Sequence, residues 1–242
     1  MSLAFSIKGT YKKGFMEDSA KFLAKVAATL GQYSPGMITG HNVTFEPEAY
    51  VMWGRDGEPR AEKDVALLEM NMHPAAIPVG VILFKPNHIV VNAETSGAGP
   101  GYHQFLCEAL KAIAPGLKIS WDLGNCVDPT GFFLNGNRDA LESVYLRWLA
   151  DQTVELLDMY QRGAQHLSLS LPTPDRFFHD WAVATPLGPR PESWLEMVSQ
   201  DPSRGKDVFP WWDAGLGANY YLGRALSLLW MSIRFRPPMN EP

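Results

Sequence analysis

Between Met37 and Ala93 the chain repeats one pattern: a short apolar or β-branched run, then a connection too short to hold a helix. The runs are Met37–Phe45, Ala49–Trp53, Val65–Met72, Val79–Phe84 and His88–Ala93, and the breaks include Arg55-Asp56-Gly57-Glu58-Pro59 and Lys85-Pro86-Asn87. Such breaks are turn chemistry. Parallel strands need a crossover of a dozen or more residues, so these strands are expected to pair antiparallel. Val79–Phe84 is almost continuously apolar, which suits a central strand covered on both faces.

Helices flank this block. The first expected element is a helix over Glu17–Leu30, with Ala20, Phe22, Leu23, Val26, Ala27 and Leu30 on one face and Gly31 as its stop. The Gly-rich turn Ser96–Gly101 opens a second helix to about Ile113, ended by Pro115-Gly116, and a strand is expected at Leu117–Trp121. Asn137 and Asp139 start the longest helix, about Arg138–Arg162, and Ser168–Leu171 reads as a further strand. From Pro172 to Pro210 prolines interrupt every run, leaving an irregular wrap with a short helix near Glu192–Ser199, before a closing helix over Ala214–Ile233. The fold class expected is α+β: one mixed, mostly antiparallel sheet covered by helices, in a single domain over residues 1–242 with a helical, proline-rich C-terminal subregion over 172–242.

Composition narrows the function classes. Charged residues make up only 19% of 242 and aromatics 12%, with eight Trp, so the chain is folded rather than disordered. A net charge of −5 excludes general nucleic-acid binding, which needs a basic face. No apolar run approaches the roughly 20 residues of a membrane span, so no membrane partner is expected. The N-terminus has no apolar core of a signal peptide, and two cysteines, Cys107 and Cys126, make no disulfide framework. Together these point to a cytoplasmic protein.

Several groups invite a chemical reading. Gly97, Gly99 and Gly101 stand between a strand and a helix, where backbone N–H groups can hold an anion, with His103 two residues further along. Neither the phosphate-loop lysine nor the dinucleotide G-x-G-x-x-G spacing is present, so a plain tight turn is the simpler account. His103, Cys107 and Lys111 share a helix face. A His–Cys pair can be a base with its nucleophile or two metal ligands, but a buried apolar cysteine explains Cys107 equally. Asp122 and Asp128 follow a strand and suit acid–base work, a cation or ordinary turns; Asp175, His179 and Asp180 read as an acid–base cluster or as the start of a helical turn bearing Phe177, Phe178 and Trp181. No cofactor or metal is expected.

Charge points outward instead. Glu46, Glu48, Asp56, Glu58, Glu62, Asp64 and Glu69 crowd the first hairpins, and Asp151, Glu155 and Asp158 stripe the longest helix. A solvated surface is the plain reading; an acidic docking face for a basic partner is the sharper one. In the closing helix, Leu216, Tyr220, Gly223, Ser227, Trp230 and Arg234 form a partly apolar stripe, and Leu222, Ala225, Leu226, Leu229 and Ile233 a wholly apolar one. With apolar groups on both, that helix is expected to be mostly buried. Trp211 and Trp212, after Pro210, and the Arg234–Arg236 tail are the parts expected at a contact surface.

The closing segment FPWWDAGLGANYYLGRALSLLWMSIRFRPP, with the acidic balance and the lack of a catalytic motif, resembles cytoplasmic immunity proteins of bacterial toxin systems, such as those paired with type VI secretion effectors. That resemblance implies a protein partner, a basic toxin enzyme that the chain binds and inhibits, and carries no residue role. The expected function is therefore a non-enzymatic protein-binding module. The alternative is an enzyme or small-molecule or anion-binding protein using the Gly97–Gly101 turn, with His103 and Asp122 nearby.

Overall fold

A computed structural model describes residues 3–12, 19–52, 59–165, 167–170 and 183–232. Asp56, Glu58, Asp175, His179, Asp180, Arg234 and Arg236 lie outside the described residues. The first element is a strand that sequence reading passed over: β1 (Ala4–Tyr11), whose Phe5, Ile7, Gly9 and Tyr11 point inward while the residues between them face out. It is followed by α1 (Ser19–Tyr33), which runs through Gly31 rather than stopping there. Met37–Phe45 and Ala49–Trp53 are one strand, β2 (Gly40–Met52), in a long hairpin with β3 (Pro59–Asn71). β4 (Val79–Phe84) and β5 (His88–Glu94) complete the meander.

α2 (Pro100–Leu117) carries Pro115 inside its last turn instead of ending before it, and β6 (Ile119–Trp121) follows. The sheet order is β2-β3-β4-β5-β1-β6, with every neighbour antiparallel. After a short helix, α3 (Phe132–Asn135), comes α4 (Arg138–Gln161), where the Asn137 side chain accepts the Ala140 amide at 3.1 Å. That N-cap satisfies one of the helix's orphan donors.

A second sheet joins β7 (Leu167–Ser168), β8 (Val183–Thr185) and β9 (Gly188–Arg190), and contains the only parallel pairing among the described residues, β7 with β8. α5 (Glu192–Gln200), a 3-10 segment (Pro202–Val208) and α6 (Ala218–Ser232) close the chain. The described part of the proline-rich stretch is thus more regular than its composition suggests. The α+β class holds.

One hydrophobic core runs from the inner face of the large sheet through α1 and α2 to α4, α5 and Trp211. α2 sits within it, buried on most of its circumference. β4 alternates, with Val79, Val81 and Leu83 buried and Gly80 and Ile82 half-buried, so the inner face alone is fully covered there. On the other face a small cluster forms from Val65, Phe84 and Val90, joined by Val51 of the distal hairpin. The β2–β3 ladder lacks a pairing at Pro47 and Asp64, where Asp64 has φ 54°. Proline has no N–H for the ladder, which accounts for a break at this point.

Candidate functional sites: a closed histidine network and an open acidic edge

α2 carries His103 into the space between β1 and α4: its ring lies 5.8 Å from Phe5 and 6.4 Å from Tyr145, edge-on to both. Both ring nitrogens find hydroxyl partners. Nδ1 is 3.0 Å from Thr95 Oγ1 and Nε2 is 3.0 Å from Thr130 Oγ1. The Thr130 hydroxyl donates to Asp128 Oδ1 at 2.6 Å, so its proton is committed, and His103 Nε2 must be the donor on that side. Nε2 also lies 3.3 Å from Asp128 Oδ1. The amides of Thr130 and Phe133 donate to the two Asp128 oxygens at 2.9 and 2.8 Å. Tyr145 Oη donates to Thr95 at 2.8 Å, and the whole group is closed from solvent.

Electrostatics follow from this geometry. Burial pushes the Asp128 carboxyl up, but the hydrogen bond and charge of His103, the Thr130 hydroxyl and the Phe133 amide outweigh it and hold the group down at about 2. Burial, together with the charges of Asp128 and Cys126, pushes the Cys107 thiol up, so the thiolate needed for nucleophilic attack or metal ligation is disfavoured. His103, Cys107 and Asp128 do each offer a ligand atom within 4.8 Å of one another. Yet the histidine and the carboxylate are already saturated by neighbours. This network is built to fix α2, β5 and the Asp128–Phe133 turn to one another.

The sequence brought His103 and Cys107 together on one face, as found. It paired His103 with Asp122, whereas the structure supplies Asp128. Asp122 instead accepts Gly124 N at 3.2 Å and Asn125 Nδ2 at 2.7 Å, which is turn chemistry. Thr95, Thr130 and Tyr145 had no signal for this role, because nothing local distinguishes a hydroxyl that meets a distant histidine.

The Gly97–Gly101 turn is not an open cradle. The Gly99 amide donates to Thr95 O at 3.1 Å and the Gly101 amide to Trp211 O at 3.0 Å. A Cβ on Gly99 would stand 2.6 Å from Trp211 O, and one on Gly101 would meet Asp213 O and the Trp211 ring. Gly97 is packed on Ala75 and Ser170 in the same way. The glycines let the chain's own segment 209–213 lie against the start of α2, and that segment fills the space an anion would take.

This also corrects the placement of Trp211, expected at a contact surface: it is 1% exposed, ringed by Tyr102, Phe105 and Tyr220. Trp212 is half-buried between Phe209 and Lys206, and its carbonyl accepts from Arg138 Nη2. Beside Trp211 lies a residue not singled out from the sequence. His73 is 4% exposed, its Nδ1 accepts the Ala75 amide at 3.1 Å, and its Nε2 has no hydrogen-bond partner among the described residues. Burial, then the Arg224 charge, lowers its pKa to about 3.

The acidic hairpin is open. β2 is the edge strand, and no strand among the described residues pairs with its outer side. Glu46, Pro47 and Glu48 are exposed, Glu62 is half-buried, and Asp64 is exposed with an ion pair to Lys85 at 2.6 Å. Two large apolar groups stand among them in β2: Phe45 is 60% exposed and Tyr50 76%.

No family model, no characterised protein and no solved structure matches this chain. Among the described residues no helix is long and apolar enough to cross a membrane.

Proposed function

We propose that the chain is a non-enzymatic protein-binding module whose β2 edge docks on a basic partner, in the manner of an immunity protein that covers and blocks a toxin. The observation that carries this reading is the exposure of Phe45 and Tyr50 on an open edge strand, flanked by Glu46 and Glu48. Aromatic side chains in a charged surround supply anchoring, and the carboxylates supply steering toward a cationic surface. Pro47 and the paired glutamates discourage the edge from pairing with another copy of itself, because like charges would face each other. A basic strand or loop meets no such penalty.

The test is capture from the native host, or mixing with the product of the neighbouring gene, followed by the Glu46→Lys/Glu48→Lys pair and Tyr50→Ala. A stoichiometric protein should bind, lose affinity steeply as salt rises, and lose at least about tenfold with the charge reversal, as expected for steered charge contacts. Recovery of no stoichiometric partner, or of one that the reversed hairpin binds equally well, would sink the proposal.

A further inference from the structure

α6 is amphipathic in reverse. The side it lays on the protein is Tyr220, Gly223, Arg224 and Ser227; the side it turns outward is Tyr221, Leu222, Ala225, Leu226, Leu228 and Leu229. Leu222 is 60% exposed and Tyr221 and Leu229 are more than half exposed. At about 100° per residue the outward groups span roughly 160° of arc, with no charged side chain on that side among residues 218–230. They offer on the order of 500 Å² of apolar surface, toward the upper end of the largest patch a monomer ordinarily leaves open, a size at which such patches are often functional.

We propose that this face is a self-association surface, on which α6 of a second copy packs antiparallel about a two-fold axis. The face is self-complementary, as an isologous contact requires. An axis passing between Ala225 and Leu226 sets Leu222 opposite Leu229 of the second copy at both ends. It sets Ala225 opposite Leu226 in the middle, where the smallest residue lets the helices approach. The area fits a weak dimer: two such faces, fully buried, reach about 1,000 Å², the lower bound of a specific interface.

Charge selects the same occupant. Each chain carries a net −5, which disfavours association through the acidic hairpins, whereas α6 presents no ion to desolvate or repel. The one cation of α6, Arg224, is turned inward onto the Gly36 carbonyl at 3.2 Å and the Tyr220 hydroxyl. A basic partner of the kind that fits Glu46 and Glu48 finds no acid here. The α6 face and the β2 edge are separate surfaces, so self-association through one leaves the other open to a partner.

The full chain is examined by sedimentation velocity up to about 100 µM, where an interface of micromolar Kd is saturated. The expected species has twice the 26.9 kDa chain mass. The Leu222→Glu/Leu229→Glu variant should return it to monomer with its circular dichroism unchanged, and Leu226→Gln should weaken association at least tenfold. A wild-type chain that stays monomeric overturns the proposal, as does a dimer that survives the glutamates. Flotation of monomeric wild-type protein with phosphatidylcholine–phosphatidylglycerol vesicles, abolished by the same glutamates, overturns it in favour of a lipid surface.

Discussion

α2 and α6 are helices of similar length and similar apolar content, and the protein uses them in opposite ways. α2 buries most of its apolar residues and one polar one, His103, both of whose ring nitrogens meet a hydroxyl, from Thr95 just after β5 and from Thr130. α6 buries only a narrow stripe, and that stripe is its less apolar one. The difference lies in what each docking partner can accept. α6 lies on backbone, with Gly223 against the Pro210 carbonyl, where any Cβ would collide. Glycine at 223 permits that approach, and a leucine there would not. Apolar content therefore decides burial on α2, and close approach decides it on α6.

Trp211 joins the two helices, so removing it gives the largest expected effect. Its carbonyl accepts the Gly101 amide at the start of α2, and its ring lies 4.4 Å from Tyr220 of α6. Trp211→Ala should cost about 4 kcal/mol in denaturant unfolding at neutral pH, in the range of other buried-aromatic truncations. A loss under about 1 kcal/mol would mean that α6 is held by other contacts and that the contrast with α2 has been drawn in the wrong place.

The sequence made half of this contrast legible. Periodicity fixed β4 at its observed ends, placed Asn137 before α4, and sorted the closing helix into its two stripes. It led to the expectation that both stripes are buried, and there the structure corrects it: Leu222, Leu226 and Leu229 are exposed, because a 3.6-residue period reports which residues share a side and nothing about the surface they meet. The network on α2 was hidden for another reason. His103 and Asp128 are 25 residues apart and Thr95 lies across a turn, so only the fold unites them. β1 alternates cleanly, yet Ser6, Lys8 and Thr10 make it look like a polar leader until β5 and β6 are seen to flank it.

His73 and Asp128 distinguish the two helices through pH. His73 sits where α6 meets α2, facing Tyr102 of α2 and Tyr220 and Arg224 of α6, with no partner for its Nε2 among the described residues. Its folded pKa of about 3 lies below the ordinary 6.5, so the unfolded chain binds the proton more tightly. Stability is full above pH 6.5 and falls as pH drops toward 3, with a slope approaching about 1.4 kcal/mol per pH unit. Asp128 has the same sign in a lower window, from its ordinary 3.8 down to about 2. Between pH 6.5 and 4.5 the two are separable. His73→Asn, which keeps an acceptor for the Ala75 amide, should flatten the slope in that interval whatever its effect on absolute stability. An unchanged slope would show that His73 is solvated and that the joint between the helices is looser than drawn.

The smallest effect belongs to the outward face of α6. Leu222→Gln, measured below the concentration at which copies associate, should change stability by no more than about 0.5 kcal/mol, because a side chain already in water has little burial to lose. The helical backbone gives up little either, since Leu and Gln have nearly equal propensity. The outcome matters because it is asymmetric with α2, where a leucine in the core such as Leu110 would cost several times more. If Leu222→Gln instead destabilised the isolated chain by 2 kcal/mol or more, a value typical of losing a buried leucine, that face would be covered within one molecule. The reversed amphipathicity of α6, and the self-association drawn from it, would then both fall together.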